Sequence, residues 1–528
     1  MPSSFDVIIV GAGPAGVMAA RALRNSRVLL VDAGRKPVAT HEFPADNLYI
    51  ERQRRDLFDL MIGDRFESLY NLYNRPVNLK LKAPRMQHVT AGASSLAPVR
   101  AETFQPVMSF AAGGLANAWG AGTYRFTRRD LDGFPVTPAE LEPFYDDLTR
   151  HIGISGANDD LSRWFGTDDE LQPPIELSFV AADLLRGYEK RRELFTRNGV
   201  TIGRMRHAVL TRPLGRRRPY AYGNYEFFCS GDPAIYNPVY TLLDMVEARE
   251  ICYEPEHLAL HYVETDCGVL LTTKDLTTGT LQSFEGRTLI LAAGALNSAK
   301  LVLEANHDYE TRLALLDNPM TCLPLIRLSR IGHVDTRPCS LGQLNLVYEY
   351  GGAVLQGGIY GTAGPLRSDV LFELPLSISA NAALLRRLGG ATALLMMFYP
   401  ASPHSDNYLR LAVDGALELN YGEPSAGGPA RGPAERELVR VFRRIGFYSA
   451  SPLCQYPPVG TSIHYAGTLP MQETPGRYQL YPDGRLHGTR AIYVVDGACF
   501  PRLPAKNLTF TIMANAMRIA SQLRDRLP

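Results

Sequence analysis

The 528-residue sequence contains no uninterrupted apolar run of about 18 residues, so no membrane-spanning helix is expected. It also lacks an excess of charge of either sign. Lys and Arg number 55 against 54 Asp and Glu, a net +1, which supplies no field to attract nucleic acid or an anionic membrane. Cysteine is scarce and unpatterned. The seven are Cys229, Cys252, Cys267, Cys322, Cys339, Cys454 and Cys499. They include no C-x-x-C pair, and an odd count argues against a disulfide framework, a zinc ribbon or a cysteine-ligated cluster. No metal site is expected. The start, Met-Pro-Ser-Ser-Phe-Asp, has no basic n-region or cleavage site, and free thiols suit a reducing compartment, so a cytoplasmic location is expected.

What is present is ordinary globular composition, 45% hydrophobic and 21% charged, at a length that suits several domains or one large enzyme with an inserted lobe. The short apolar run Val7 to Val10 predicts a strand buried on both faces. A glycine loop, Gly11 to Gly16, follows it, then a helix from Val17 to Leu23 and a second buried strand from Val28 to Val31. Leu289 to Leu291 predicts a third such strand, turning at Gly294 into a helix from Asn297 to about Ala305. From 320 to 430 the texture changes to strands and turns. Asp414-Gly415 between apolar runs predicts a hairpin over 408–421, and Leu438, Val441, Phe442 and Ile445 mark one face of a helix over 433–447. A strand at 491–495 and a helix at 507–523 resume the α/β texture, so one domain is interrupted by another.

The glycine loop carries the clearest chemistry. Gly11 permits the tight turn, Gly13 lets a diphosphate approach the backbone, and Gly16 lets the helix pack on the strand. The helix N-terminus offers free N–H groups and a positive dipole end. Asp32, 21 positions after Gly11, suits a carboxylate holding adenosine ribose hydroxyls. The motif does not separate FAD from NAD. Near the C-terminus, His464 sits among Pro457, Pro458, Gly460 and Gly467, a loop setting that places it in a cleft more readily than in a core, although taken alone it reads first as a satisfied structural histidine. Asp496 ends a buried strand, where ligand hydroxyls or a local turn must satisfy it.

These residues resemble the glucose–methanol–choline (GMC) oxidoreductases, FAD-dependent enzymes acting on alcohols. Four segments carry the resemblance: 11–32, Gly113-Gly114 with its small-residue tail, 294–298 and 464–517. Phe134-Pro135-Val136 with Leu141 to Tyr145 is similar to a further family pattern. The implied fold is an α/β, Rossmann-like FAD-binding domain from residues 1–60, 86–125, 236–315 and 455–528. A discontinuous α+β substrate-binding domain on an antiparallel sheet, containing the 408–421 hairpin, would comprise 61–85, 126–235 and 316–454.

The resemblance also implies roles. His464 matches the catalytic histidine, a general base for the substrate hydroxyl while the carbinol hydride passes to flavin N5. Asn507 matches the second catalytic position, which holds the substrate oxygen. The cofactor set would be Gly11, Gly13, Pro14, Ala15, Gly16, Asp32, Ala33, Gly113, Gly114, Asn117, Ala118, Leu258, Ala293, Gly294, Asp496, Gly497, Leu508 and Thr509. The final helix would point its N-terminus at the flavin pyrimidine edge. Gly113-Gly114-Leu115-Ala116-Asn117-Ala118-Trp119 is similar to the pyranose-oxidase segment G-G-M-S-T-H-W, whose histidine bonds covalently to flavin. Ala118 stands at that position, so the FAD is expected to be non-covalent.

The expected reaction is oxidation of a small-molecule alcohol, a sugar or other polyol, with oxygen or another acceptor. The alternatives are oxidation of a hydrophobic alcohol, a non-redox flavoprotein of the same fold (a lyase, isomerase or decarboxylase), and a flavin-binding protein without catalysis. Met396 to Tyr399 face either the substrate pocket or the core. Arg216-Arg217-Arg218 reads as a solvated loop before a phosphate site, and His487 as a packing residue.

Overall fold

The structure is a computed structural model that describes residues 5–35, 81, 84–222, 234–335, 339, 341–362, 376–422, 431–449 and 453–527. Cys229 and most of the segments 36–85 and 424–433 lie outside them.

The first βαβ unit forms as the sequence predicts, with strand Phe5–Val10, helix Pro14–Ala22 and strand Val28–Val31. The two strands pair in parallel, Val7 opposite Val28. Val7, Ile8 and Ile9 are fully buried, because helices cover both faces of a parallel sheet. Cys252–Glu254 joins one side of the pair, in parallel with Val28–Val31. On the other side Phe5–Val10 pairs in parallel with the second half of the long strand Leu281–Leu291. The first half of that strand instead turns antiparallel, onto Gly268–Asp275 and then His257–Thr265. Ile492–Val494 also pairs with Leu289 to Leu291. The seven-stranded sheet thus gathers chain ends more than 480 residues apart.

A second sheet of five antiparallel strands runs in the order Met320–Ile326, Thr392–Phe398, Ala353–Gly361, Gly342–Tyr350, Val200–Arg204. Strand alternation divides its side chains. Leu323, Leu344, Leu355, Leu395 and Met397 turn to a core shared with Val180, Leu184, Leu438 and Phe442 of the helices Phe179–Lys190 and Pro433–Arg443. Met320, Cys322, Met396 and Phe398 turn to the opposite face.

The Asp414-Gly415 hairpin is present, pairing Tyr408–Leu411 with Leu417–Asn420. It does not join the five-stranded sheet. It lies in a separate small sheet with Val99–Ala101 and Leu313–Ala314, and Leu409, Leu411, Leu417 and Leu419 pack into the core of the parallel sheet. A turn signal fixes a hairpin locally, but which sheet it joins depends on distant partners. The final helix starts at Thr509 with Leu508 as N-cap, so Asn507 precedes the helix instead of opening it.

Candidate active site

The cradle is assembled at the carboxyl ends of the parallel strands, where open α/β sheets bind ligands. Gly11 has φ +107°, and a Cβ there would lie 2.5 Å from the Ala292 carbonyl oxygen. At Gly16 a Cβ would sit 1.9 Å from Gly11 O, so this glycine is fixed by helix–loop contact. A Cβ built on Gly13 meets nothing within 4 Å, which makes its surroundings open space. The helix Pro14–Ala22 has no side-chain cap and no acidic residue in its first turn, leaving its N-terminal donors to a ligand.

Other segments close around this loop. Gly113 N–H donates to Ala12 O (3.0 Å), and a Cβ on Gly114 would come 3.5 Å from Gly13 Cα. Both glycines have positive φ, which suits the tight loop they form. Asn117 donates to Ala112 O (2.9 Å) and Gly114 O (2.7 Å) and accepts from Asn237 (2.8 Å). Its side chain therefore braces the loop. Ala118 is buried among Leu81, Met86, Val89 and Val107, and the Trp119 N–H donates to Tyr236 O (2.9 Å).

Asp32 accepts from Ala12 N (2.7 Å) and Gly34 N (2.7 Å). Burial outweighs these two donors and pushes it up to about 6. A carboxylate accepts about four hydrogen bonds, so room for hydroxyl donors remains. Ala33 adjoins it. Leu258 follows His257, whose N–H donates to Asp32 O (2.9 Å). Asp496 accepts from Gly294 N (2.8 Å), the Ser298 hydroxyl (2.5 Å) and Ala498 N (2.9 Å). A local turn and the neighbouring helix thus satisfy Asp496, which ties Gly294 to the turn Gly497–Cys499, while Ala293 N donates to Ser298 Oγ (3.1 Å).

His464 and Asn507, 43 positions apart in sequence, are brought together: Asn507 Nδ2 lies 3.4 Å from His464 Nε2. His464 is buried, and desolvation pushes it down to about 4, so the imidazole is neutral at physiological pH. Ile463, just before it, holds a left-handed φ of +60°, a costly conformation for a β-branched residue. Its surroundings hold it there. Asp317 accepts from Gly460 N (2.7 Å) and the Ser462 hydroxyl, and Ser462 Oγ accepts from His464 N (3.1 Å).

Three residues at the site carry no motif. Asn318 Oδ1 lies 3.0 Å from His464 Nδ1. The Phe398 ring lies 4.8 Å from the imidazole and joins Met320, Cys322, Met396 and Ala505 in an apolar wall. Lys506 is buried and donates to Asp130 (2.5 Å), Trp164 O (2.5 Å) and Arg125 O (3.3 Å), anchoring the turn that presents Asn507. Strand alternation resolves the methionine pair: Met396 and Phe398 face the site, while Met397 and Tyr399 face the helix-covered core.

Residues outside the site are explained locally. Arg216 pairs with Asp244 and Glu247, and Arg217 donates to Ile152 O (2.5 Å) and Ala234 O (3.2 Å). His487 is exposed, its ring 6.0 Å from Tyr481. The segment from Phe134 to Tyr145 packs on the final helix: Tyr145 stacks on Phe510 at 5.1 Å and bonds Thr511 (2.8 Å). Among the described residues no cluster of His, Cys, Asp and Glu could hold a metal ion, and no helix is long and apolar enough to cross a membrane.

Known proteins resemble this chain in sequence and in fold. The chain is 23% identical to a C-glycoside 3-oxidase of Microbacterium trichothecenolyticum, an alignment covering 100% of this chain and 98% of that protein. Its fold is similar to the crystal structure of pyridoxine 4-oxidase from Mesorbium loti, with a TM-score of 0.58, 15% identity, and coverage of 98% of this chain and 99% of that one. Residues 453–516, which contain His464, Asp496 and Asn507, match the GMC oxidoreductase C-terminal family model.

Proposed function

We propose that the protein is an FAD-dependent oxidase or dehydrogenase acting on a CH–OH group of a small molecule, a sugar or other polyol. The observation that carries this reading is the pairing of a neutral, buried His464 with Asn507 next to an uncapped helix N-terminus. The residues present fit FAD. Open space over Gly13, a helix N-terminus free of acid, and a carboxylate with unused lone pairs at Asp32 suit a diphosphate and a ribose. Ala118 offers no nucleophile for a covalent link. When bound, FAD supplies the acceptor for the carbinol hydride. His464 takes the hydroxyl proton, Asn507 orients the hydroxyl oxygen, and the uncapped N–H groups at Leu508 and Thr509 favour negative charge opposite them.

The wall beside the base supports a polyol with an apolar face. Phe398 and Met396 offer hydrophobic surface, while Gln356, opposite Phe398 in the sheet, has a buried Oε1 with no hydrogen-bond partner. A substrate hydroxyl would satisfy it. The apolar residues also favour a second reading, a hydrophobic alcohol. The C-glycoside oxidase named above, similar along the whole chain, favours the sugar. We place the protein in the cytoplasm on the scatter of its few cysteines along the chain, with no C-x-x-C pair.

Mixing the yellow protein anaerobically with a panel of sugars, polyols and long-chain alcohols tests the reading, because a substrate bleaches the flavin absorbance. Re-exposure to oxygen or a quinone then identifies the acceptor. Acid or heat should release FAD into the supernatant, and flavin fluorescence remaining on the denatured band would contradict the non-covalent assignment. The rate of bleaching should be flat across neutral pH and fall only as the imidazole protonates, below about pH 5. An acid limb centred near 6.5 would mean a solvated base.

A further inference from the structure

We infer that Asn318 is a positioning residue that fixes the tautomer of His464, leaving Nε2 as the atom that accepts the substrate proton. The inference rests on the proposed role of His464 and adds a residue that no motif identifies. An asparagine amide can be turned either way, but here its neighbours decide. Nδ2 donates to two backbone carbonyls, Tyr399 O at 2.7 Å and Pro504 O at 3.1 Å. Carbonyl oxygens cannot donate, so the amide nitrogen must face them and Oδ1 must face His464. That oxygen only accepts, so the Nδ1 at 3.0 Å carries the hydrogen. Nε2 is left with its lone pair, turned toward Asn507 Nδ2.

Asn318 is itself fully buried, and its three contacts join Tyr399, just past the strand Thr392–Phe398, the turn before the final helix and the loop of the base. Charged groups on the packed elements already have partners. Asp317 is bonded to Gly460 and Ser462, Lys506 to Asp130, and Glu435 to Tyr399. Burial keeps the Cys322 thiol neutral, pushed up to about 12.

Two substitutions separate positioning from simple packing. Asn318→Ala and Asn318→Asp both lose the donors to Tyr399 O and Pro504 O, but only Asp keeps an acceptor opposite Nδ1. With FAD content as the check on folding, Asn318→Ala should slow single-turnover flavin reduction by about 10–100-fold, the scale for groups that orient a catalytic imidazole. Asn318→Asp should recover most of that loss at high pH, with its acid limb about one unit or more above wild type, because a carboxylate favours the imidazolium. Equal rates and limbs in the two variants would overturn the inference, as would a wild-type rate in Asn318→Ala. A variant-free readout is the ¹⁵N spectrum of histidine-labelled wild-type protein, with His464 assigned by its loss in His464→Gln. Protonated Nδ1 with bare Nε2 is expected, and the reverse tautomer overturns the inference. If His464→Ala reduced normally while this spectrum held, the base reading would fail and the hold of Asn318 on the ring would stand.

Discussion

Replacing His464 by Ala should slow flavin reduction by about 10²–10⁴-fold, the usual scale for losing a general base, while FAD remains bound. The diphosphate and ribose contacts proposed for Gly11–Gly16 and Asp32 do not involve His464. Its own contacts are to Asn318, Asn507, Ser462 and Phe398, so the effect should appear in the reduction step. Asn507→Ala should cost less, because it removes an orienting hydrogen bond and leaves the base in place. The check is the single-turnover rate at saturating FAD and substrate. An unchanged rate in His464→Ala would mean that the base lies elsewhere or that the reaction is not alcohol oxidation.

The glycine loop makes the second large prediction, a contrast between neighbours. Gly13→Ala should leave the melting temperature of the cofactor-free protein unchanged, since its Cβ meets nothing within 4 Å and its φ of −76° suits any residue. The same methyl group enters the space where a diphosphate would approach the backbone, so FAD affinity should fall by about tenfold or more. Gly16→Ala should behave differently. Its Cβ would lie 1.9 Å from Gly11 O and 3.2 Å from Ala292 Cβ, forcing helix and strand apart at a cost of about 1–3 kcal/mol, typical of overpacking. Both stability and FAD affinity should drop. Thermal melts of stripped protein, paired with FAD titrations, separate the two effects. Normal FAD affinity in Gly13→Ala would remove the diphosphate from this loop.

The βαβ unit could be read from the sequence because its determinants are local: a continuous apolar run, glycines at fixed offsets and a carboxylate one strand later. The same holds for the Asp414-Gly415 turn and for the helix expected over 433–447, which ends at Arg443 and leaves Ile445 beyond it. Long-range placement could not be read in that way. The sheet joined by the hairpin depends on Val99–Ala101 and Leu313–Ala314, neither of which announces itself in sequence. His257–Thr265 buries only His257 and Tyr262, and Gly268–Asp275 alternates buried with half-buried residues, so both lack the continuous apolar signature of their parallel neighbours. At the site, His464 and Asn507 were found by resemblance. Asn318 was not, because a lone asparagine between Asp317 and Pro319 reads as a turn residue. Its role arises from Tyr399, Pro504 and His464, between 81 and 186 positions away. Lys506 escaped for a similar reason: a lysine reads as surface until Asp130 and two carbonyls surround it.

The proposed reaction moves hydride from an alcohol carbon at a site where His464 removes the hydroxyl proton. It is tested most directly by anaerobic stopped-flow reduction of the wild-type holoenzyme with a sugar or polyol, unlabelled and then deuterated at the carbinol carbon. Bleaching of the flavin is expected with both, slower with the deuterated substrate. A flavin that stays oxidised across the alcohol panel, or a rate that does not change on deuteration at that carbon when bleaching limits the signal, would contradict it.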